Sequence, residues 1–418
     1  MKREKESVQV NGRTYRWPSV PVVVVCIDGC SPAYLERGLA AGLMPNLARF
    51  QKEGFFAWAD GVIPSFTNPN NLSIVTGTPP AVHGISGNYY LDPQRGVEIM
   101  MNDPRLLRCG TILAAFAREG SRIAVVTAKD KLLGLLTHDL STGIRFSAER
   151  ADRCSLPENG IEGVLSLAGM ELPGVYTAEL SYLVLRAGVK ILEQHRADLM
   201  YFSLTDYIQH KYAPGAPEAD RYYRNMDEKF GRLHDLGAVV ALTADHGMND
   251  KANADGSPRV IWLQDVLDAR FGKGTSTVIC PITDRFVAHH GALGGFVRVY
   301  CQGSLEPDDV IRATREIDGI EAVYDRVAAV RRFDLPADRE GDVVVISRAD
   351  TCSGAAAAAH DLSGLAGHRL RTHGGISEAR VPFILNYPLR PEYATRAKTG
   401  TLESHQIFDF AINGVDPG

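Results

Sequence analysis

The segment that most constrains the fold is Val22-Val23-Val24-Val25-Cys26-Ile27, an uninterrupted apolar run rich in β-branched residues. This pattern indicates a strand buried on both faces, which is typical of the inner strands of a parallel sheet. Similar runs follow at 122–127, 199–204 and 238–243. Helical patterns separate them, at 111–119, 177–195 and 217–236. This alternation predicts an α/β fold, a three-layer αβα sandwich around a mostly parallel central sheet.

The alternation of long buried strands with helices ends at about residue 250. Short strand-like segments and one helical segment indicate a compact α+β unit there, at 286–287, 295–300, 307–318, 322–324 and 341–346. The apolar run at 381–386 then reads as a strand that returns to the central sheet. We therefore expect a metal-binding α/β catalytic core formed by residues 1–250 and 366–418. Residues 251–365 would form a smaller α+β cap or lid insertion.

Charge and hydropathy exclude several classes of partner. The formal net charge is −5, the pI is near 6.2, and no basic stripe with interleaved aromatic residues occurs, so no nucleic acid partner is expected. The longest apolar run is far shorter than the roughly 20 residues that span a bilayer, so no membrane partner is expected. The charged amino terminus lacks a signal peptide's apolar region, and the seven cysteines form no framework. We expect a cytoplasmic protein, and a homodimer, as is common for soluble enzymes.

A candidate anion site lies in Pro64-Ser65-Phe66-Thr67-Asn68-Pro69-Asn70-Asn71-Leu72. The segment reads as the start of a helix that ends at Gly77, with Thr67 or Asn68 at the N-cap and Pro69 in the first turn. The unpaired N–H groups and the positive end of the helix dipole would suit a phosphate-like oxyanion. Taken alone, the same pattern is that of an ordinary helix cap.

Residues of the types that bind metals follow the ends of several predicted strands. They are Asp28, Asp206, the pair Asp245-His246, and His373, while His210 lies four residues after Asp206. Each alone could be a simple turn residue. Together with Thr67 they number seven, which suits two ions about 4 Å apart, as in phosphoryl-transfer enzymes. A mixed His and Asp set favours two Zn²⁺ ions, with Mn or Fe possible.

These residues carry a resemblance to a known family. The segments 26–29, 67–70, 206–210, 243–247 and 372–374 resemble the alkaline phosphatase superfamily, in its nucleotide pyrophosphatase/phosphodiesterase-like branch. Within that branch, the segments 64–77, 84–90 and 126–131 are similar to the phosphonoacetate hydrolases. The resemblance covers residues from about 20 to 250 and a second segment that begins near residue 370.

The resemblance implies a role for each residue. Asp206, His210 and His373 would hold one zinc ion, and Asp28, Thr67, Asp245 and His246 the other. Thr67 would be the nucleophile, and Asn88 would donate a hydrogen bond to a phosphonyl oxygen. The substrate would be a small anionic organophosphonate, phosphonoacetate. Its phosphorus–carbon bond would be cleaved through a phosphothreonine, giving acetate and phosphate.

Lys129 and Lys131 are candidates for binding the carboxylate of that substrate. They lie two residues apart, so an extended backbone would place both ammonium groups on one face. The alternative for this segment is a solvated charged loop.

Two other functions stay open from the sequence. The chain could be a dizinc phosphodiesterase or phosphomonoesterase of the same superfamily, in which the two lysines bind phosphate or nucleotide. It could also be a metal- or phosphate-binding protein without catalytic activity, although all seven predicted ligand positions are filled. Sulfatases and phosphoglycerate mutases fit less well, because the nucleophile position holds Thr rather than Cys or Ser.

Overall fold

The structure of the protein is a computed structural model that describes residues 6–284, 291–365 and 367–418. The strand predicted at 286–287 lies outside these residues. The amino-terminal hairpin pairs Ser7–Val10 with Arg13–Arg16. Its turn places Asn11 and Gly12 at positive φ, as two-residue hairpin turns of this type require.

A seven-stranded sheet forms the centre of the molecule. Its strands, in spatial order, are Phe55–Asp60, Arg380–Leu385, Val239–Thr243, Val22–Cys26, Leu199–Ser203, Ile123–Thr127 and Ile144–Ser147. The last five of these pair in parallel, whereas Arg380–Leu385 pairs antiparallel with both of its neighbours. The prediction of an α/β fold with a mostly parallel central sheet is therefore confirmed.

Helices cover both faces of this sheet. Tyr201 and Phe202 are adjacent in one strand, so their side chains point to opposite faces. The Tyr201 hydroxyl donates to Asn71 in the helix Thr67–Thr76, whereas the Phe202 ring lies against Gly188 in the helix Glu179–Glu193. The other α-helices before residue 250 are Pro32–Ala40, Pro45–Glu53, Pro80–His83, Ile112–Arg118, Asp130–Leu136, Leu156–Asn159, Val164–Ala168, Tyr207–Lys211 and Pro217–Asp235. Two more lie near the carboxyl terminus, at Pro391–Thr399 and Ile407–Asn413.

A second, four-stranded antiparallel sheet lies within residues 251–365, the predicted insertion, and we call it the cap sheet. Its strands, in spatial order, are Ser276–Ile279, Phe296–Cys301, Val343–Ser347 and Ile320–Asp325. The helices of this part are Leu263–Phe271, Pro307–Arg315 and Arg326–Phe333. The cap sheet has its own apolar cluster, which also includes Ile63, Phe66 and Ala379 from outside the insertion. This cluster therefore joins the cap sheet to the segment that leads into Thr67.

Three small strand pairs complete the described fold. They are Tyr89–Asp92 with Val97–Met100, Asn249–Asp250 with Arg371–Thr372, and Val260–Trp262 with Cys352–Gly354. Short 3₁₀ turns occur at Pro104–Leu106, Ala148–Arg153, Ala337–Arg339, Ala357–Ala359, Ser363–Leu365, Ile376–Glu378 and Ser404–Gln406. Among the described helices, none combines the length and the apolar character needed to cross a membrane.

Candidate metal centre and substrate cavity

Buried carboxylates and imidazoles gather at the carboxyl edge of the central sheet. Asp206, His210 and His373 form one group, and Asp28, Asp206 and His246 form a second. Within each group the potential ligand atoms all lie within 4.8 Å of one another. Asp28, Asp206 and Asp245 each follow the end of a parallel strand, as predicted. His373 instead follows Arg371–Thr372, a two-residue strand outside the central sheet.

The three imidazoles present the same nitrogen to the centre of the cluster. The Nδ1 of each lies within hydrogen-bond distance of a main-chain carbonyl oxygen. The pairs are His210 with Arg371 at 2.7 Å, His246 with Gly247 at 2.9 Å, and His373 with Ser65 at 2.7 Å. Because a carbonyl can only accept, each Nδ1 carries the proton, and in the neutral ring Nε2 keeps a lone pair. This is how proteins orient imidazoles that bind metals.

Asp245 is held by donors from its own segment and from two others. Its Oδ1 accepts hydrogen bonds from the main-chain N–H groups of Gly29 at 3.3 Å and His246 at 3.0 Å. Its Oδ2 accepts from the amide of Asn71 at 3.0 Å. Burial, reinforced by the charge of the neighbouring Asp28, raises the pKa of Asp245 to about 7. The carboxylate is therefore rigidly oriented and short of compensating positive charge.

Thr67 lies at the start of the helix Thr67–Thr76, but not at its N-cap. The N-cap is Phe66 in extended conformation, and Thr67 is the first helical residue, so the prediction of Thr67 or Asn68 at the N-cap was wrong. Pro69 lies in the first turn and Gly77 ends the helix in the left-handed region, both as predicted. The Thr67 hydroxyl is buried and lies 3.5 Å from the Nε2 of His246. The hydroxyl thus faces the cluster of buried carboxylates and imidazoles.

Asn88 lies next to the amino end of the same helix. Its Oδ1 accepts a hydrogen bond from the main-chain N–H of Asn68 at 3.3 Å, and its Nδ2 donates to the carbonyl oxygen of Ile282 at 3.4 Å. Its main-chain N–H also donates to Pro281, at 2.8 Å. A segment of the insertion therefore fixes both the backbone and the side chain of Asn88.

Lys129 and Lys131 do not lie on an extended segment, so that part of the prediction was wrong. Lys129 is the N-cap of the helix Asp130–Leu136, and Lys131 lies in its first turn. The Nζ of Lys129 lies 2.8 Å from carboxylate oxygens of both Asp28 and Asp206. Lys131 forms an ion pair with the buried Asp284. Both side chains are largely buried, which excludes the alternative of a solvated charged loop.

A cavity of about 360 Å³ opens beside the two lysines. Besides Lys129 and Lys131, its lining includes Arg150, Tyr176, Thr205 and Tyr207. Lys129 therefore contacts the carboxylates of the cluster and also lines the cavity. A small dianion in this space would meet the positive charges of the lysines on the side next to the cluster.

The charge of the cluster fits bound cations. Asp28, Asp206 and Asp245 are buried together, and Lys129 supplies one positive charge against their three carboxylates. Asp28 Oδ1 has no hydrogen-bond partner among the described residues, and it lies 3.3 Å from the Nε2 of His246. Burial opposes protonation of that imidazole, but Asp245 and Asp28 outweigh it and raise the pKa of His246 to about 9. Two facing acceptors at this distance need a shared proton or a shared metal ion.

Three residues that complete the site escaped the sequence analysis. Asn71 joins Asp245 to the main-chain carbonyl of Thr67, and its position four residues after Thr67 on one helix face was an available signal. Glu378 and Asp284 had no such signal. The main-chain carbonyl of Glu378 accepts a hydrogen bond from the N–H of Gly247, which follows His246. Its carboxylate accepts one from the N–H of Gly375, two residues after His373.

Comparison with known proteins agrees with this site. The family model for type I phosphodiesterase / nucleotide pyrophosphatase matches residues 22–358. The chain belongs to this family. An uncharacterised pyrophosphatase/phosphodiesterase of Schizosaccharomyces pombe is 22% identical over 332 residues, which are 77% of this chain and 57% of that protein. The chain thus corresponds to little more than half the length of that relative.

Solved structures give a closer match. A crystal structure of phosphonoacetate hydrolase from Sinorhizobium meliloti in complex with phosphonoacetate is 48% identical, with a TM-score of 0.93 over 98% of this chain and 99% of that one. The complex of that enzyme with phosphonoformate matches equally well. Human ectonucleotide pyrophosphatase/phosphodiesterase 5, at 16% identity and a TM-score of 0.62 over 93% of each chain, shares the fold. The predicted resemblance to the phosphonoacetate hydrolases, and with it the prediction of a hydrolase, is confirmed.

Proposed function

We propose that the protein hydrolyses the phosphorus–carbon bond of phosphonoacetate, giving acetate and phosphate. One structural observation carries the proposal: the cluster that contains Thr67 adjoins, at Lys129, a cavity that also contains Lys131. A substrate with a phosphonate at one end and a carboxylate at the other would place its phosphonate at the cluster and its carboxylate at the lysines. The similarity to the Sinorhizobium meliloti enzyme, whose structure contains phosphonoacetate, supports the same substrate.

Two divalent ions, proposed as Zn²⁺ with Mn or Fe as alternatives, would be held by the residues of the cluster. Asp206, His210 and His373 would hold one, and Asp28, Thr67, Asp245 and His246 the other. When bound, these ions would lower the pKa of the Thr67 hydroxyl and offset the negative charge on the phosphonate. The inward-facing Nε2 atoms and the excess of buried carboxylates support this assignment.

The residues of the chain perform the remaining steps. Thr67 Oγ1 attacks phosphorus, the phosphorus–carbon bond breaks, and its electron pair moves to carbon. The carboxylate next to that carbon takes up the charge as an enediolate, which Lys129 and Lys131 stabilise electrostatically. The proton that leaves the Thr67 hydroxyl balances the proton that this carbon takes up to give acetate. Water then attacks the phosphothreonine, which releases phosphate and restores the Thr67 hydroxyl.

Asn88 and the insertion complete this proposal. Asn88 lies beside the first helical N–H groups and would donate its amide N–H to a phosphonyl oxygen. Residues 251–365 would act as a lid that limits water in the site during the first step, because Lys129 and Lys131 stabilise the negative charge of the enediolate more strongly when water is excluded. The contacts of Pro281 and Ile282 with Asn88 support a role for the insertion in ordering this loop.

A comparison of two substrates tests the proposed function. Metal-loaded protein should release phosphate and acetate in equal amounts from phosphonoacetate, and faster than it cleaves a nitrophenyl phosphodiester. Thr67→Ala should lose turnover by several orders of magnitude and keep the metal ions, because six other ligand residues remain. Preferred cleavage of the phosphodiester would instead support the phosphodiesterase alternative.

A further inference from the structure

Lys129 contacts one carboxylate from each of the two proposed metal sites. Its Nζ lies 2.8 Å from Asp28 Oδ2 and 2.8 Å from Asp206 Oδ1. The Lys129 side chain is 12% exposed, and those of Asp28 and Asp206 are 0% and 3% exposed. Charge-assisted hydrogen bonds are strong and directional when water is excluded to this degree.

The other oxygen of each carboxylate faces an imidazole. Asp28 Oδ1 lies 3.3 Å from the Nε2 of His246, and Asp206 Oδ2 lies 3.0 Å from the Nε2 of His210. The two oxygens of each carboxylate therefore contact different groups, in the same arrangement for Asp28 and Asp206. One oxygen, which we call the inner oxygen, faces the imidazole nitrogens, and the other, the outer oxygen, is bound to Lys129.

We propose that Lys129 is a positioning residue for the pair of metal ions. By holding both outer oxygens, a single ammonium group would keep Asp28 and Asp206 as ligands through one inner oxygen each and would fix the spacing of the two ions. This role is separate from contact with the substrate carboxylate. It rests on the proposed function only in assuming that the cluster binds two ions.

The chemistry of lysine suits this position. An ammonium group has three N–H donors on one atom, so two can bind carboxylates while the third is directed elsewhere. Lys129 also lines the cavity, where that third donor can meet a substrate anion. One side chain would thereby link the geometry of the metal ions to the carboxylate of the substrate.

Lys131 provides a matched control in the same cavity. It has the same side chain two residues away, but its ion pair is with Asp284, which belongs to neither proposed metal site. A general electrostatic effect on metal binding would respond to loss of either lysine. An effect transmitted through the outer oxygens would respond to Lys129 alone.

Loss of the ammonium group should loosen both metal sites. Lys129→Met keeps the length of the side chain but leaves the outer oxygens of Asp28 and Asp206 buried without their donor. Each carboxylate could then rotate, and the two would repel each other across the cluster. Loss of a residue that orients metal ligands typically weakens metal binding by about 10- to 100-fold.

Titration of the full-length metal-free protein with Mn²⁺ tests this inference. We expect Lys129→Met to bind both ions about 10- to 100-fold more weakly than wild type. The electron paramagnetic resonance signal of the spin-coupled Mn²⁺ pair should also change. Lys131→Met should match wild type in affinity and in signal. These measurements need no substrate, so they are independent of whether phosphonoacetate is hydrolysed.

Three results would overturn the inference. Lys129→Met could bind two ions with wild-type affinity and signal, it could bind them more tightly, or both lysine variants could shift metal binding equally. Circular dichroism would verify that each variant is folded. If Lys129→Met does not fold, Lys129→Gln provides the same comparison, since its shorter, neutral amide can donate hydrogen bonds to the outer oxygens but cannot supply the positive charge, and it should give an intermediate loss.

Discussion

The ion pair between Lys251 and Glu378 joins the two segments that carry His246 and His373, and its removal should have a measurable cost. Both side chains are fully buried, with Nζ and Oε1 2.8 Å apart. Glu378→Gln keeps the shape but leaves the Lys251 charge uncompensated, which costs about 3–5 kcal/mol in such pairs. Unfolding entropy of about 2.1 cal/mol/K per residue gives roughly 0.9 kcal/mol/K for 418 residues. We therefore expect Tm to fall by about 3–6 °C.

Thermal unfolding of the metal-free protein, followed by circular dichroism, measures this cost. The double variant Lys251→Met/Glu378→Gln is the matched control, because it removes the uncompensated charge and should recover part of the lost Tm. Glu378 Oε2 also accepts a hydrogen bond from the N–H of Gly375, two residues after His373. The single variant should therefore bind metal more weakly as well.

The pH dependence of the same ion pair has a defined sign. Burial would raise the pKa of Glu378, but the Lys251 charge and the hydrogen bonds from Lys251, Ser377 and Asn249 outweigh it and lower the pKa below its usual value. Its contribution is therefore present above the unfolded-state pKa, near 4.3, and is lost as pH falls through the lower folded-state pKa. A Glu378→Gln variant with wild-type Tm at pH 7, and the same acid unfolding profile, would refute this reasoning.

Three further predictions concern the site. Asn88→Ala should lower kcat by about 10²–10³-fold, as loss of a donor to a developing charge does, and leave metal stoichiometry unchanged in a metal analysis; an unchanged kcat would contradict its role. Chelation should lower Tm, because ions at 100 times their Kd stabilise by about 2.7 kcal/mol each, and adding Zn²⁺ back should restore both Tm and activity. Asn71→Leu removes the donor to Asp245 and should weaken metal binding about 10-fold or more in a Mn²⁺ titration; wild-type affinity would show that Asp245 is oriented by its main-chain donors alone.

The position of the metal-type residues could be predicted because parallel strands end at one edge of the sheet. Asp28, Asp206 and Asp245 follow recognisable apolar strands, so their convergence follows from the topology. His373 converges for another reason: a two-residue ladder with Asn249–Asp250, too short to recognise from sequence, positions its segment. We expected His373 at the end of a strand, and it does follow one, but that strand has only two residues and lies outside the central sheet.

The conformation around Lys129 and Lys131 could not be predicted, because contacts from distant residues determine it. The main-chain N–H of Asp130 donates to Glu149, and the Asp130 carboxylate accepts from Ser147, so a helix begins at Asp130 where an extended segment was expected. The contact of Lys129 with Asp28 likewise joins residues 101 positions apart. Such long-range polar contacts leave no periodicity in the sequence.

The exact start of the helix at Thr67 could not be predicted from sequence either, because tertiary packing determines it. Thr and Asn are common N-cap residues, so local preference placed the cap at Thr67 or Asn68. In the structure Phe66 takes that position, and its ring is buried in the cluster of the cap sheet. Packing of this aromatic ring thus overrides the capping preference and leaves the Thr67 hydroxyl facing the metal-type cluster.

A quenched-reaction measurement would test directly whether Thr67 is the covalent nucleophile in phosphonoacetate hydrolysis. Metal-loaded protein would be mixed with excess phosphonoacetate, quenched in acid within one turnover, and digested for mass spectrometry, with released acetate quantified in parallel. We expect phosphate on Thr67 together with about one acetate per phosphorylated site, and neither product with Thr67→Ala. Release of acetate by Thr67→Ala at a rate near that of wild type, or phosphate on a different residue, would contradict it.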